Sequence, residues 1–213
     1  MSGFTSPNDL KQLGGRRPFV SILCGTQSPA RYAAMILRRS GLQLDPGAST
    51  KLIIDSPIGF ALHKLETLDR RGLHLVVSTS SPCVEYWEDL WSLKPQVLLV
   101  GEDRKRGLAR AIARASNGER YRVTPRVTTS LSRYERALLR YIAYGWASER
   151  IACELDTQEK TVRNTLTRVY QKLHVTSRTE AALYYWGIQQ VLAGMAPPVD
   201  FADFAEPGDL NQE

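Results

Sequence analysis

The sequence predicts an α/β domain followed by a small all-α domain, on three observations. Over residues 18–122, short apolar runs alternate with helix-periodic stretches, the pattern of strands crossed over by helices. Residues 131–183 hold four helical patterns, two of them opened by capping boxes, Ser132-Arg133-Tyr134-Glu135 and Ser177-Arg178-Thr179-Glu180. Within that segment Val162, Leu166, Val169 and Leu173 line up as one apolar stripe on a helix. A chain of 213 residues has room for both units.

In order, Phe19-Val20-Ser21-Ile22-Leu23 predicts the first strand and residues 30–39 the helix after it. Lys51-Leu52-Ile53-Ile54 predicts a second strand, followed by a helix over 59–70. Leu73-His74-Leu75-Val76-Val77 is the third, with 84–93 helical behind it. Pro95-Gln96-Val97-Leu98-Leu99-Val100 is the fourth, before a basic helix over 105–115. Buried β-rich runs alternating with helices imply a parallel sheet covered on both faces. Gly118-Glu119-Arg120-Tyr121 closes this domain at 122, and residues 123–129 read as a linker. Tyr86, Trp87 and Trp91 fall on the third helix as core or as a partner face, and Tyr86 and Trp87 are not expected to point inward together. Cys24, Cys83 and Cys153 lack metal spacing and read as small buried apolar residues in a reducing cytoplasm. His63, His74 and His174 occur singly and read as structural.

The second domain spans 130–195. Ser132 caps a helix carrying Leu138, Leu139 and Ile142, which Gly145 stops. A short helix over 147–155 turns Ile151 and Leu155 inward, and Asp156-Thr157-Gln158 breaks it. A longer helix follows from Gln158 to near His174, and a last one runs towards Gln190. Two helices joined by a tight turn, the second presenting a polar face, form a DNA-binding arrangement. Lys160, Asn164, Thr167 and Gln171 lie opposite the apolar stripe, with Arg163 and Arg168 along its margins. Arg and Lys can meet guanine, Asn can meet adenine, and either cation can hold phosphate. Residues 104–178 contain 17 Lys and Arg against 6 Asp and Glu, in a chain of net charge +6. Such a patch attracts a phosphate backbone.

Other function classes lack their signatures. There is no Gly-x-Gly-x-x-Gly after the first strand, no Walker loop and no Cys/His cluster, so no catalytic residues, metal or cofactor are expected. No apolar run approaches the roughly 18–20 residues of a membrane span, and residues 1–17 lack a signal-peptide core. A cytoplasmic location is expected. Residues 196–213 carry Asp200, Asp203, Glu206, Asp209 and Glu213 with no basic residue, and read as a disordered acidic tail.

Leu131, Glu135, Leu139, Gly145, Ile151-Ala152, Leu155, Lys160-Thr161-Val162, Asn164, Lys172-Leu173, Val175, Arg178 and Glu180-Ala181 fall in one family's register. The domain resembles the LuxR/NarL-type helix-turn-helix of bacterial transcription regulators. By that resemblance Lys160 and Thr161 would contact phosphates at the start of the recognition helix. Arg163, Asn164 and Thr167 would face base edges, Arg168 would flank them, and Lys172 and Arg178 would lie nearer the backbone. Gln158 stands where the family usually has a capping Ser. Asp156 with Glu159, or Thr157, is expected to cap instead and to shift the helix start. Thr165 replaces a frequent His and Trp146 a smaller apolar residue, so the target sequence does not carry over.

A flavodoxin-like sheet before such a domain resembles a NarL-type response regulator. Leu108-Ala109-Arg110-Ala111-Ile112 and then Asn117-Gly118-Glu119-Arg120-Tyr121 are similar to the receiver's last helix and its exit. The remainder is short by one strand–helix unit. A receiver of this kind holds Mg²⁺ on an acidic pair after its first strand, takes phosphate on a third Asp, and responds through a Thr or Ser and a Lys. Here Cys24-Gly25-Thr26-Gln27 supplies no acid, and Val100 or Gly101 stands at the Lys position. The resemblance therefore implies a degenerate receiver without metal-dependent self-phosphorylation. Two alignments remain. In one, Asp55 ends the central strand as the phosphoacceptor, with Ser78 or Thr79 as the switch hydroxyl. In the other, Lys51-Leu52-Ile53-Ile54 is the second strand, Ser78 takes the acceptor position, and Asp55 is a helix N-terminal residue beside Ser56-Pro57.

The function expected is a sequence-specific regulator of double-stranded DNA, dimeric and independent of phosphorylation. The alternatives are a conventional response regulator phosphorylated on Asp55, or a regulator whose α/β domain binds a protein partner or a small ligand. A ligand would sit at the strand C-termini, between Cys24-Gly25-Thr26-Gln27 and Thr79-Ser80-Ser81.

Overall fold

The computed structural model describes residues 19–101 and 104–188. The expected acidic tail over 196–213 and the run of the last helix to 190 lie outside the described residues.

Six strands, β1 (Phe19–Cys24), β2 (Gln43–Leu44), β3 (Thr50–Ile54), β4 (His74–Thr79), β5 (Val97–Val100) and β6 (Tyr121–Val123), form one sheet in the order β2-β1-β3-β4-β5-β6. All neighbours pair in parallel. The crossovers are α1 (Gln27–Arg39), α2 (Phe60–Thr67), α3 (Val84–Ser92) and α4 (Arg104–Ser116). Side chains alternate across the pleat. Leu52, Ile54, Val76 and Leu99 pack with α1 and α4, whereas Ile53, Leu75, Val77 and Leu98 pack with α2 and α3. The sheet is covered on both faces, as the buried runs predicted.

Two strands are added to the four read from sequence. β2 and β6 are two and three residues long, too short for alternation to register. The expected loss of a whole strand–helix unit is corrected: the strand survives as β2, and only its helix is replaced, by the turn at 45–49. That turn is tied by Gly47 N–H to Asp45 Oδ1 (2.8 Å) and by the Lys51 ammonium to the Pro46 carbonyl (2.8 Å). The sheet also extends one residue past the expected boundary, since Val123 belongs to β6. Because β3 lies between β1 and β4, Asp55 follows the central strand and Ser78 belongs to β4. The alignment with Ser78 at the acceptor position is thereby excluded.

The second domain comprises α5 (Arg133–Ala143), α6 (Ser148–Glu154), α7 (Glu159–Leu173) and α8 (Arg178–Tyr185). At α5 both capping-box bonds form: Glu135 N–H donates to Ser132 Oγ (3.2 Å), and Ser132 N–H donates to Glu135 Oε2 (2.8 Å). Gly145 ends the helical run with φ +76°, a conformation that favours glycine. At α8, Ser177 Oγ accepts from Glu180 N–H (3.1 Å), but the Glu180 carboxylate reaches back to Thr176 instead of closing the box. The expected replacement cap on α7 does not form. Gln158 is the N-cap and makes no side-chain cap bond, while Asp156 turns the chain at φ +47°. The helix start is not shifted.

One apolar cluster runs from α2 and α3 through α5, α7 and α8. Consequently Tyr86 (0% exposed) and Trp87 (5%) are both buried, against expectation. α3 lies between two layers, so it hides more than one stripe: Tyr86 stacks edge-on with Tyr185, and Trp87 Nε1 donates to the Ser81 carbonyl (2.6 Å). Of the cysteines only Cys83 is buried, with Cys24 half-buried and Cys153 exposed.

Candidate nucleic-acid interface

α7 is set by its apolar side. Val162, Leu166 and Val169 are buried with Thr165, whose hydroxyl accepts from Arg168 Nη2 (3.3 Å). The opposite side leaves Lys160, Thr161, Arg163, Asn164, Thr167 and Arg168 exposed. Lys and Arg flank an Asn and two Thr there, a donor-rich surface on a helix thin enough to enter a major groove.

The other two expected contacts are engaged inside the domain. The Lys172 ammonium lies 2.8 Å from both carboxylate oxygens of Glu135, bracing the end of α7 against the start of α5. Burial would raise the Glu135 carboxyl, but Lys172 and the Ser132 cap outweigh it and hold the carboxyl below its ordinary value. Arg178 is half-buried and donates to the Trp146 carbonyl. Trp146 in turn stacks on Tyr141 (centroids 4.6 Å apart) and has the Arg150 guanidinium over its ring (3.8 Å). Two carboxylates sit beside the exposed cations: Arg163 pairs with Glu159, expected from the sequence only as a capping residue, and lies 3.9 Å from Glu149 on α6, which the sequence did not single out.

In the α/β domain Asp55 is 3% exposed. Its Oδ1 accepts from Gly59 N–H (3.0 Å), Ala61 N–H (2.9 Å) and Tyr86 Oη (3.0 Å), and its Oδ2 accepts from Thr79 Oγ1 (2.7 Å). It therefore anchors the start of α2, with Thr79 rather than Ser78 as its hydroxyl neighbour. Burial raises its carboxyl above the ordinary Asp value despite these four donors. Tyr86 comes from a different helix and had no local signal in the sequence. The loop after β1 folds onto the next one: Gly25 N–H donates to the Ser56 carbonyl (2.9 Å), and the hydroxyls of Thr26 and Ser56 lie 2.8 Å apart. With no carboxylate in Cys24-Gly25-Thr26-Gln27 and Asp55 engaged by four donors, these residues do not fit a Mg²⁺ ion.

The two domains are joined by carboxylates on α3. Glu85 accepts from Thr129 Oγ1 (2.7 Å) and Tyr184 Oη (2.9 Å). Asp89 accepts from Tyr185 Oη (2.8 Å) and lies 3.8 Å from Arg136 Nε. Trp186 packs between Tyr86 and Tyr144 and against the α carbon side of Gly59, where a β carbon would meet its ring at 3.0 Å.

Residues 129–185 match the family of bacterial regulatory proteins described as the luxR family. The uncharacterized transcriptional regulatory protein YvfU of Bacillus subtilis is 29% identical over 150 residues, 66% of this chain and 74% of YvfU. GfsR of Streptomyces halstedii, a probable HTH-type transcriptional regulator, is 43% identical over 58 residues, 27% of this chain and 24% of GfsR. Among solved structures, one of two RcsB dimers bound to two parallel DNAs superposes with a TM-score of 0.51 at 15% identity, over 81% of this chain and 100% of that one. The YvfU match is longer than the luxR segment, and the RcsB superposition shows the fold across both domains. Residues 129–185 therefore carry the match to the luxR family of bacterial regulatory proteins, and the two domains together share the fold of RcsB.

Proposed function

We propose that this regulator binds specific double-stranded DNA sites as a homodimer through the outer face of α7, without phosphorylation of its α/β domain. The observation that carries the reading is the exposure of six polar side chains along that face. Lys160 and Thr161, in the first turn, are assigned to phosphates. Arg163, Asn164 and Thr167 are assigned to base edges, with Arg168 at the rim. Lys172 and Arg178 are assigned here to holding the domain together, because their cationic groups already serve Glu135 and Trp146. Two half-sites about one DNA turn apart would suit a two-fold dimer, and RcsB, which shares the fold, binds DNA as dimers. The cytoplasm, where such DNA is reached, is its place of action.

Independence from phosphorylation is supported by the α/β domain itself. Asp55 stands where a phosphoacceptor would, yet its two oxygens are engaged by four protein donors, and no carboxylate lies in the loop after β1 to recruit a metal. Phosphorylation at Asp55 would have to break the anchor of α2. A ligand at the same edge is likewise not favoured, since Thr79 Oγ1 and Ser81 Oγ accept from the backbone N–H of Ser81 (3.1 Å) and Cys83 (3.2 Å).

Selection from a random duplex library with the unphosphorylated protein, followed by binding across a salt series, tests the reading. Arg163→Ala is expected to weaken the selected site by roughly 1–3 kcal/mol and to relax preference at one base position. Lys160→Ala is expected to weaken all sequences alike and to lower the salt slope by about 1. Wild-type-like specificity in Arg163→Ala removes Arg163 from base reading.

A further inference from the structure

We propose that Glu159 and Glu149 restrain Arg163 and thereby set the specificity of the DNA-reading face; the inference rests on the reading of α7 given above. Two carboxylates from different helices converge on this one guanidinium, Glu159 from the first turn of α7 and Glu149 from α6 at 3.9 Å. Arg163 and Glu149 are each 66% exposed in their side chains, and an exposed ion pair adds little to fold stability. Glu159 also suits the positive end of its helix, but that accounts neither for Glu149 nor for the convergence of both on Arg163.

On a surface that meets a polyanion, two carboxylates are costly unless they improve discrimination. A guanidinium has five N–H donors in a fixed fork. Those not turned to Glu159 remain for a base edge, and holding the long side chain in place lowers the ordering cost of reading guanine O6 and N7. The same pairing neutralises Arg163 towards phosphates. Away from its correct base the side chain then releases few counterions and the carboxylates repel the DNA backbone. This is specificity by penalising wrong partners. Lys160, in the same turn, is left as the exposed cation for the backbone.

The test uses the full chain, a duplex recovered by selection with the wild-type protein, and an unrelated duplex of equal length. Glu159→Gln and Glu149→Gln are each expected to raise affinity for the unrelated duplex roughly three- to tenfold and to steepen its salt slope by about 1, as Arg163 turns to phosphate. Affinity for the selected duplex should rise less, so the specificity ratio falls, most of all in the double variant. Glu149 is on a different helix, so Glu149→Gln still reports if Glu159→Gln perturbs the start of α7. An unchanged ratio and slope in the double variant, beside a wild type that discriminates, overturns the restraint alone. A wild type whose DNA binding shows neither discrimination nor salt dependence overturns the restraint together with the reading beneath it.

Discussion

Asp55→Ala is expected to cost the folded state about 3–5 kcal/mol, an effect on stability with no dependence on phosphodonor. The carboxylate is buried and serves two backbone amides, a tyrosine and a threonine. Truncation leaves Ala61 N–H and the hydroxyls of Thr79 and Tyr86 without their acceptor, while Gly59 N–H keeps only Tyr86 Oη (3.1 Å), and each orphaned buried donor is costly. It also frees Tyr86, whose ring packs on Tyr185 and Trp186 of the DNA-binding domain, so the loss should propagate to α8. Asp55→Glu is expected to be destabilising too, because an extra methylene has to enter a filled site, and it should give no gain in DNA affinity. Urea unfolding monitored by far-UV circular dichroism gives both results. A wild-type midpoint for Asp55→Ala, or tighter DNA binding by Asp55→Glu, contradicts the structural role.

Asp89→Ala should produce a loss of similar size by a different route. Asp89 is 5% exposed, accepts from Tyr185, and faces Arg136 and Arg140 from α5. Removing one member of a buried charged set costs about 3–5 kcal/mol, because the remaining charges lose their partner. Here those charges belong to the DNA-binding domain, so amides of α3 and α8 should lose hydrogen-exchange protection while α7 keeps it. Burial raises the Asp89 carboxyl in the folded state, more than the nearby Arg140, Tyr185 and Arg136 lower it. Ionising Asp89 therefore takes away part of the stability as pH rises from the unfolded Asp value through the raised folded one, a dependence that Asp89→Asn should remove. The loss on truncation at neutral pH is the separate cost of stranding Arg136 and Arg140. A loss under 1 kcal/mol, the size of a solvated pair, would mean that Asp89 does not join the domains.

What the sequence made legible was local. The helix-turn-helix could be read because Ser132, Glu135, Gly145 and the stripe from Val162 to Leu173 act within one or two turns of themselves. The strands of the α/β core were readable as apolar runs, whereas β2 and β6, at two and three residues, are too short for an alternation to repeat. The site was legible in part. Lys160, Thr161, Arg163, Asn164, Thr167 and Arg168 lie on the exposed face as predicted. The partners that set apart Lys172, Arg178 and Asp55 were not readable, since Glu135, Trp146 and Tyr86 are distant in the chain. Tyr86 and Trp87 were misjudged because a single buried stripe is the usual case for a helix, and α3 is covered from two sides.

The measurement that bears most directly on the account is DNA affinity of the full-length protein with and without acetyl phosphate and Mg²⁺, on a duplex selected by the untreated protein. Specific, strongly salt-dependent binding is expected to be the same in both conditions, with no phosphoryl group incorporated at Asp55. Binding that appears, or tightens tenfold or more, only after phosphodonor treatment, and is lost in Asp55→Asn, would contradict it.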